Sequence, residues 1–237
     1  MTEHGSYLRS LERSRQSLTR EDRPDVFAMA DREWDLLDGV FAPPFSATTG
    51  VALDVLGLTG DDEPRYRSGG SFLEIGAGTG IIAVSAALAG CARVVAADIS
   101  KAAVRNTELN AQRHGVGDRL RAVHSDLFAG LDPAERFDTV YWHSNFVLAP
   151  RDYRYETEHE AAYIDPGYQA HRRYLAEAPG LLTEGGSALL QFSDRGDLDL
   201  LHDMADACGH ELVVRDRRRF LEGSGEELEH ILFEIRG

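Results

Sequence analysis

Several things are scarce in this chain, and each scarcity removes a class of function. Only two cysteines, Cys91 and Cys208, occur in 237 residues. Both fall in apolar-periodic segments as small buried side chains, which argues against a disulfide framework. No apolar run reaches membrane-spanning length, and the opening MTEHGSYLRSLERSRQ lacks the apolar core of a signal peptide. The expectation is a cytoplasmic protein with no membrane partner. Basic charge is in deficit: 25 Lys and Arg stand against 40 Asp and Glu, a formal net charge of −15. That balance repels a phosphate backbone and argues against nucleic acid as a partner. The one basic run, Arg215 to Arg219, reads as a solvated strand end. His159, His171, His202, His210 and His230 show no metal-ligand spacing, so no metal is expected. Hydrophobic residues make up 43%, enough for one large core in a globular chain of this length.

The order of elements is the stronger signal. Residues 6–20 carry leucines at helical spacing. Pro24 then opens PDVFAMADREWDLLD at a first helical position, and Val26, Met29, Ala30, Trp34 and Leu37 fit a second helix. A third starts near Ser46 and runs to Leu58, followed by a polar loop over 59–70. From residue 71 strands and helices alternate: SFLEI, a helix over 79–89, ARVVAAD, a helix over 100–114 with Ser100 as its N-cap, RLRAVHSD, FDTVYW, a helix within 165–182, SALLQFS after Gly185-Gly186, a helix over 198–209, and two final strands. The alternation means an open, largely parallel α/β sheet. The short connection between the final strands fits an antiparallel hairpin. Two parts are expected: an N-terminal helical extension or lid over 1–60 and an α/β domain over 61–237.

After the first strand of the alternating region comes LEIGAGTGI, opening a helix. Gly76, Gly78 and Gly80 allow a tight turn and a close backbone approach to a ligand. Ile81 breaks the dinucleotide fingerprint, which ranks a nicotinamide dehydrogenase low. Glu74, inside the strand just before the turn, suits a cationic ligand better than a pyrophosphate. The pattern E-x-G-x-G-x-G, with Asp98 ending the next strand and Asp126 following the third, resembles the class I S-adenosylmethionine (SAM)-dependent methyltransferases. The resemblance implies a Rossmann-like, seven-stranded, mostly parallel sheet with helices on both faces and an antiparallel last strand. It implies SAM as cofactor, with Glu74, Gly76, Ala77, Gly78 and Gly80 at the glycine loop, Asp98 and Ile99 at the ribose, Asp126 and Leu127 at the adenine, and His143 nearby.

Within that class the chain looks most like the branch containing the release-factor glutamine N5-methyltransferases. FDTVYWHSNF aligns on a strand ending in that branch's Asn-Pro-Pro-Tyr, FAPPFSATT resembles its upstream proline-rich segment, and IDPGYQAHRRYLAEAPGLLTEGG resembles its following helix and Gly-Gly turn. Here His143 stands at the asparagine position, Ser144 and Asn145 replace the prolines, and Phe146 keeps the aromatic ring. His143, Asn145 and Phe146 are the candidate catalytic residues, with His143 as a base. The segment 147–168, rich in tyrosine and acid, reads as a lid. With the motif altered and this lid present, the expected acceptor is a small molecule, such as an amino acid derivative or secondary metabolite methylated on N or O, and the assembly leaves room for a homodimer. Two alternatives stand beside that reading. In one, SAM is itself the substrate, its amino group attacking its own side chain and releasing methylthioadenosine. In the other, the chain binds SAM without catalysis.

Overall fold

In a computed structural model, described for residues 4–59, 65–66, 69–221, 225 and 227–237, the chain forms three layers around a seven-stranded sheet. The first helix, α1, is His4–Thr19. A hairpin follows, β1 (Val26–Met29) and β2 (Arg32–Asp35), then α2 (Thr48–Val55). The alternating region runs β3 (Ser71–Ile75), α3 (Ile81–Leu88), β4 (Arg93–Asp98), α4 (Lys101–Arg113), β5 (Leu120–His124) and β6 (Phe137–His143). Two short strands, β7 (Leu148–Ala149) and β8 (Asp165–Pro166), bracket a long connection. Then come α5 (Gln169–Glu177), β9 (Leu182–Ser193), α6 (Leu198–Ala207), β10 (Glu211–Leu221) and β11 (Glu227–Arg236).

The sheet order is β10-β11-β9-β6-β3-β4-β5. Five strands are mutually parallel from β9 to β5, and β11 inserts antiparallel between β9 and β10. The expected α/β sheet with an antiparallel last strand is therefore the fold. Central strands are buried on both faces and read as continuous apolar runs. Along β3, Phe72 packs into the core shared with α3 and α4, while Leu73 and Ile75 face the core shared with α5 and α6. The order places β3 beside both β4 and β6, so the carboxyl ends of those three strands open at one crevice.

One expected helix is a hairpin. Residues 24–38 pair Phe27 with Trp34 across β1 and β2, through a two-residue turn at Ala30 and Asp31, both at positive φ (51° and 56°). Phe27 and Trp34 are seven residues apart, which a helix would also place on one face, and period alone cannot separate the two. Val26, part of the helical stripe, is 41% exposed, whereas Trp34 is fully buried and donates its indole N–H to the Met29 carbonyl at 2.9 Å. Ser100 does hold the N-cap position of α4, but its hydroxyl makes no capping bond. Gly185-Gly186 bends within β9 rather than preceding it. The domain boundary expected at residue 60, most of the 59–70 loop and part of the β10–β11 connection lie outside the described residues.

Candidate functional site

The glycine loop is shaped by three left-handed residues. Gly76, Gly78 and Gly80 take φ of 68°, 56° and 78°, where an L side chain is strained. Gly76 and Ala77 both donate their N–H groups to the Ala97 carbonyl, at 2.8 and 3.2 Å, which stitches the turn to the end of β4. Gly80 does not face the crevice. A Cβ there would lie 2.7 Å from Thr107 Cγ2 and 2.9 Å from its Cα, so this glycine lets α3 close against α4. Its expected place among the ligand-facing residues is corrected accordingly. A Cβ at Gly78 would meet nothing within 4 Å, and Gly78 lines a cavity of about 700 Å³.

Two buried carboxyls hold the loop. Glu74, 2% exposed on β3, accepts the Ala83 N–H at 2.8 Å near the start of α3. Burial, with the nearby Asp98, keeps it well above the usual carboxylate range. Asp98 accepts from Gly78 N at 2.8 Å through one oxygen and from Ser100 N at 2.8 Å through the other. Burial raises it too, against those two backbone donors. A carboxylate offers about four acceptor sites, so two backbone bonds leave room for ligand hydroxyls. Beyond it, Ile99 is 44% exposed, a large apolar side chain left on the cavity wall. Asp126 is gripped by Arg173 of α5 through both carboxylate oxygens, at 2.9 and 2.8 Å. Leu127 follows at φ 50° and is buried.

The tip of β6 closes the other end of the same cavity, with His143, Ser144, Asn145 and Phe146 all on its wall. His143 is partly buried, and desolvation lowers its imidazole to about 4. Ser144 donates both its N–H and its hydroxyl to the Gln191 carbonyl, at 3.1 and 2.9 Å. Asn145 donates its amide to the carbonyls of Ala161 and Ile164, each at 2.7 Å, while its Oδ1 is buried without a hydrogen-bond partner. Phe146 meets Phe192 and His230 edge-on.

The roof comes from the connection between β7 and β8 and from α1. Tyr153, Tyr155, Glu158 and Tyr163 line the cavity beside Ser10, Arg13 and Gln16 of α1. The Ser14 hydroxyl meets His159 Nδ1 at 2.8 Å, and Leu11 packs on Val147, Ala149 and Ile164. Below the roof, Asn106 and Asn110 of α4 bond the backbone of β2 and its neighbour Leu37. Sequence reasoning missed Arg173, Gln191 and the role of His230. A glutamine and a histidine inside the apolar runs of β9 and β11 were the available signal. Among the described residues no cluster of His, Cys, Asp or Glu has metal-binding geometry, and no helix is long and apolar enough to cross a membrane.

A parallel sheet of this order, a glycine loop with free space at Gly78, and acids ending β4 and following β5 fit an adenosyl ligand. Over part of its length the chain is similar to class I SAM-dependent methyltransferases. The family described as ribosomal protein L11 methyltransferase (PrmA) matches residues 46–142. The release factor glutamine methyltransferase of Bordetella pertussis is 35% identical over 133 residues, covering 53% of this chain and 48% of that protein. The ribosomal protein uL3 glutamine methyltransferase of Burkholderia pseudomallei is 33% identical over 138 residues, covering 53% and 45%. The chain thus spans about half the length of the curated relatives it matches. Among solved structures, the N-methyltransferase NodS of Bradyrhizobium japonicum, in complex with S-adenosyl-L-homocysteine (SAH), superposes with a TM-score of 0.55 at 15% identity. It covers 95% of this chain and 97% of that one, a likeness of fold. The relatives matched in sequence are named for protein substrates, which overturns the expectation of a small-molecule partner.

Proposed function

We propose that the chain transfers a methyl group from SAM to a side-chain nitrogen of a protein, and that this nitrogen belongs to a primary amide. When bound, SAM supplies an electrophilic methyl on its sulfonium. In this reading Asp98 takes the ribose hydroxyls, Ile99 and Leu127 flank the adenine, Asp126 receives its amino group, and the Gly76–Gly78 backbone lies against the methionine portion, with Glu74 behind it.

The observation that carries the acceptor assignment is the composition of the tip. It offers hydrogen-bond acceptors and no strong base. His143, lowered to about 4, is neutral at physiological pH and accepts through a ring nitrogen. Asn145 adds the unpartnered Oδ1. A lysine ammonium would first have to lose a proton, and an imidazole this weak is a poor recipient for it. A primary amide needs no proton removed before attack and presents two N–H donors, which two acceptors can orient in line; as the N–CH3 bond forms and the S–CH3 bond breaks, SAH leaves and one amide proton passes to solvent. Phe146 supplies an aromatic wall. The relatives named as glutamine methyltransferases point to the same group. The corresponding test incubates the chain with methyl-labelled SAM and, separately, purified uL3, L11 and release factor. Mass spectrometry then reads the adenosine product and the modified residue. SAH together with one methyl on a glutamine amide is expected. Methylthioadenosine, or label on a lysine, would refute the proposal.

A further inference from the structure

Tyr141, Gln191 and His230 are each fully buried, on β6, β9 and β11. A buried amide or imidazole costs about 2 kcal/mol or more unless it is bonded, and these bond to one another across three adjacent strands. The Tyr141 hydroxyl donates to Gln191 Oε1 at 2.6 Å, and Gln191 Nε2 lies 2.9 Å from His230 Nδ1. The direction of the chain follows from its first member. Burial keeps Tyr141 a protonated phenol with a hydrogen to give. Gln191 Oε1 is then the acceptor and its NH2 the donor, so His230 Nδ1 accepts. A neutral imidazole that accepts at Nδ1 carries its proton on Nε2, and His230 Nε2 is buried with no protein partner.

The same glutamine grips the tip through its main chain. Gln191 is the register partner of His143, and its carbonyl takes both donors of Ser144. It therefore holds the residue two before His143, the residue just after it, and the ring of His230. That ring stands edge-on to His143 at 5.6 Å and to Phe146 at 5.4 Å. Two of the three candidate catalytic side chains rest on His230, and His230 rests on Gln191.

We propose that Gln191 and His230 are positioning residues: the directed bonds Tyr141 to Gln191 to His230 fix the His230 ring as a platform that sets the orientation of His143 and Phe146. This deepens the functional reading above, and its test does not require an acceptor. The full chain is labelled with 15N-histidine and followed by long-range proton–nitrogen correlation, with resonances assigned through H143Q and H230Q. In the wild type, His230 should show its proton on Nε2. Gln191→Leu keeps the volume and the carbonyl but removes both side-chain bonds. It should give His230 a mixture of tautomers and move the His143 resonances, while SAH affinity stays within about threefold of wild type. Gln191→Glu accepts at both oxygens and should put the His230 proton on Nδ1, which decides the matter if the leucine variant does not fold. A wild-type His230 protonated on Nδ1, or His143 resonances unmoved by Gln191→Leu, would overturn the proposal. Failure of the wild type to bind SAH would instead remove the cofactor reading and leave the histidine assignment standing.

Discussion

Gly78 and Gly80 sit two residues apart in the same loop, both at positive φ, and the structure assigns them different work. An alanine in the left-handed region is disfavoured by about 1–2 kcal/mol. Part of that is offset because alanine also restricts the unfolded chain, by about 0.4–1 kcal/mol. At Gly78 nothing else is added, since no atom lies within 4 Å of the new Cβ. Gly78→Ala should therefore cost about 1 kcal/mol, a fall in Tm of a few degrees for a domain of this size. At Gly80 the new Cβ meets Thr107 at 2.7, 2.8 and 2.9 Å, the last contact being backbone, which cannot swing aside. Overpacking of that kind adds about 1–3 kcal/mol. Gly80→Ala should thus cost about 2–4 kcal/mol and lower Tm by roughly 5–15 °C. Ligand binding should run the other way. Calorimetry with SAH should show Gly78→Ala weakened by about tenfold or more, because its methyl occupies the space the backbone leaves open for the ligand. Folded Gly80→Ala, read below its own transition, should bind more nearly like wild type. Equal destabilisation of the two variants would refute the packing argument. A Gly78→Ala variant that binds SAH as tightly as wild type would refute the cradle.

Stability should fall on acidification. His143, His159 and His230 are held at about 4, 4 and 3 by burial, against 6.5 in an unfolded chain. As pH drops through 6.5 the unfolded chain takes up protons first, so their contribution, complete above that pH, is lost progressively toward pH 4. Urea midpoints measured from pH 7.5 to 4.5 check this, and His159→Phe should flatten the curve. Asn110→Ala strips partners from the Asp35 backbone and from the Thr79 carbonyl of the glycine loop. It should cost about 2–4 kcal/mol in chemical denaturation, because the groups left behind are part-buried or buried. Asn145→Ala frees the carbonyls of Ala161 and Ile164, so limited proteolysis within 150–160 should accelerate while Tm changes by only a few degrees.

The parallel core was legible because its physics is local and periodic. A strand such as ARVVAAD, buried on both faces, must be apolar throughout, and a turn that approaches a ligand must be glycine. The hairpin at 26–35 was not legible, because two aromatics seven residues apart satisfy a helix and a cross-strand pair equally. Only the turn at Ala30-Asp31 decides, and while Asp31 tolerates positive φ, Ala30 does not advertise it. The proposed cofactor positions Asp98 and Asp126 follow from strand ends, which sequence marks well. Their partners do not: Arg173 reaches Asp126 from 47 residues downstream, a contact that exists only once α5 is docked. The acceptor was misread for a related reason. The tyrosine- and acid-rich lid looked like the wall of a small-molecule pocket, yet its acid Glu160 accepts from Tyr153 at 2.9 Å and from Glu156 N at 2.9 Å. An acidic side chain engaged in holding its own loop together says little about the charge of a substrate.

The altered motif at the strand tip has a physical logic of its own. Prolines stiffen a backbone by locking φ, but they donate no hydrogen bond. Here stiffness comes from donors instead. Ser144 contributes an N–H that proline lacks, plus a hydroxyl, both to the Gln191 carbonyl, and the Asn145 amide ties the tip to the roof. A tip held this way is coupled to its surroundings as a ring-locked tip is not. Moving the roof strains Asn145, and disturbing β9 releases Ser144. The substitutions thus leave a defined geometry in place while linking it to the segment that roofs the cavity. Access to the cavity and alignment of His143 should change together, through the same handful of hydrogen bonds.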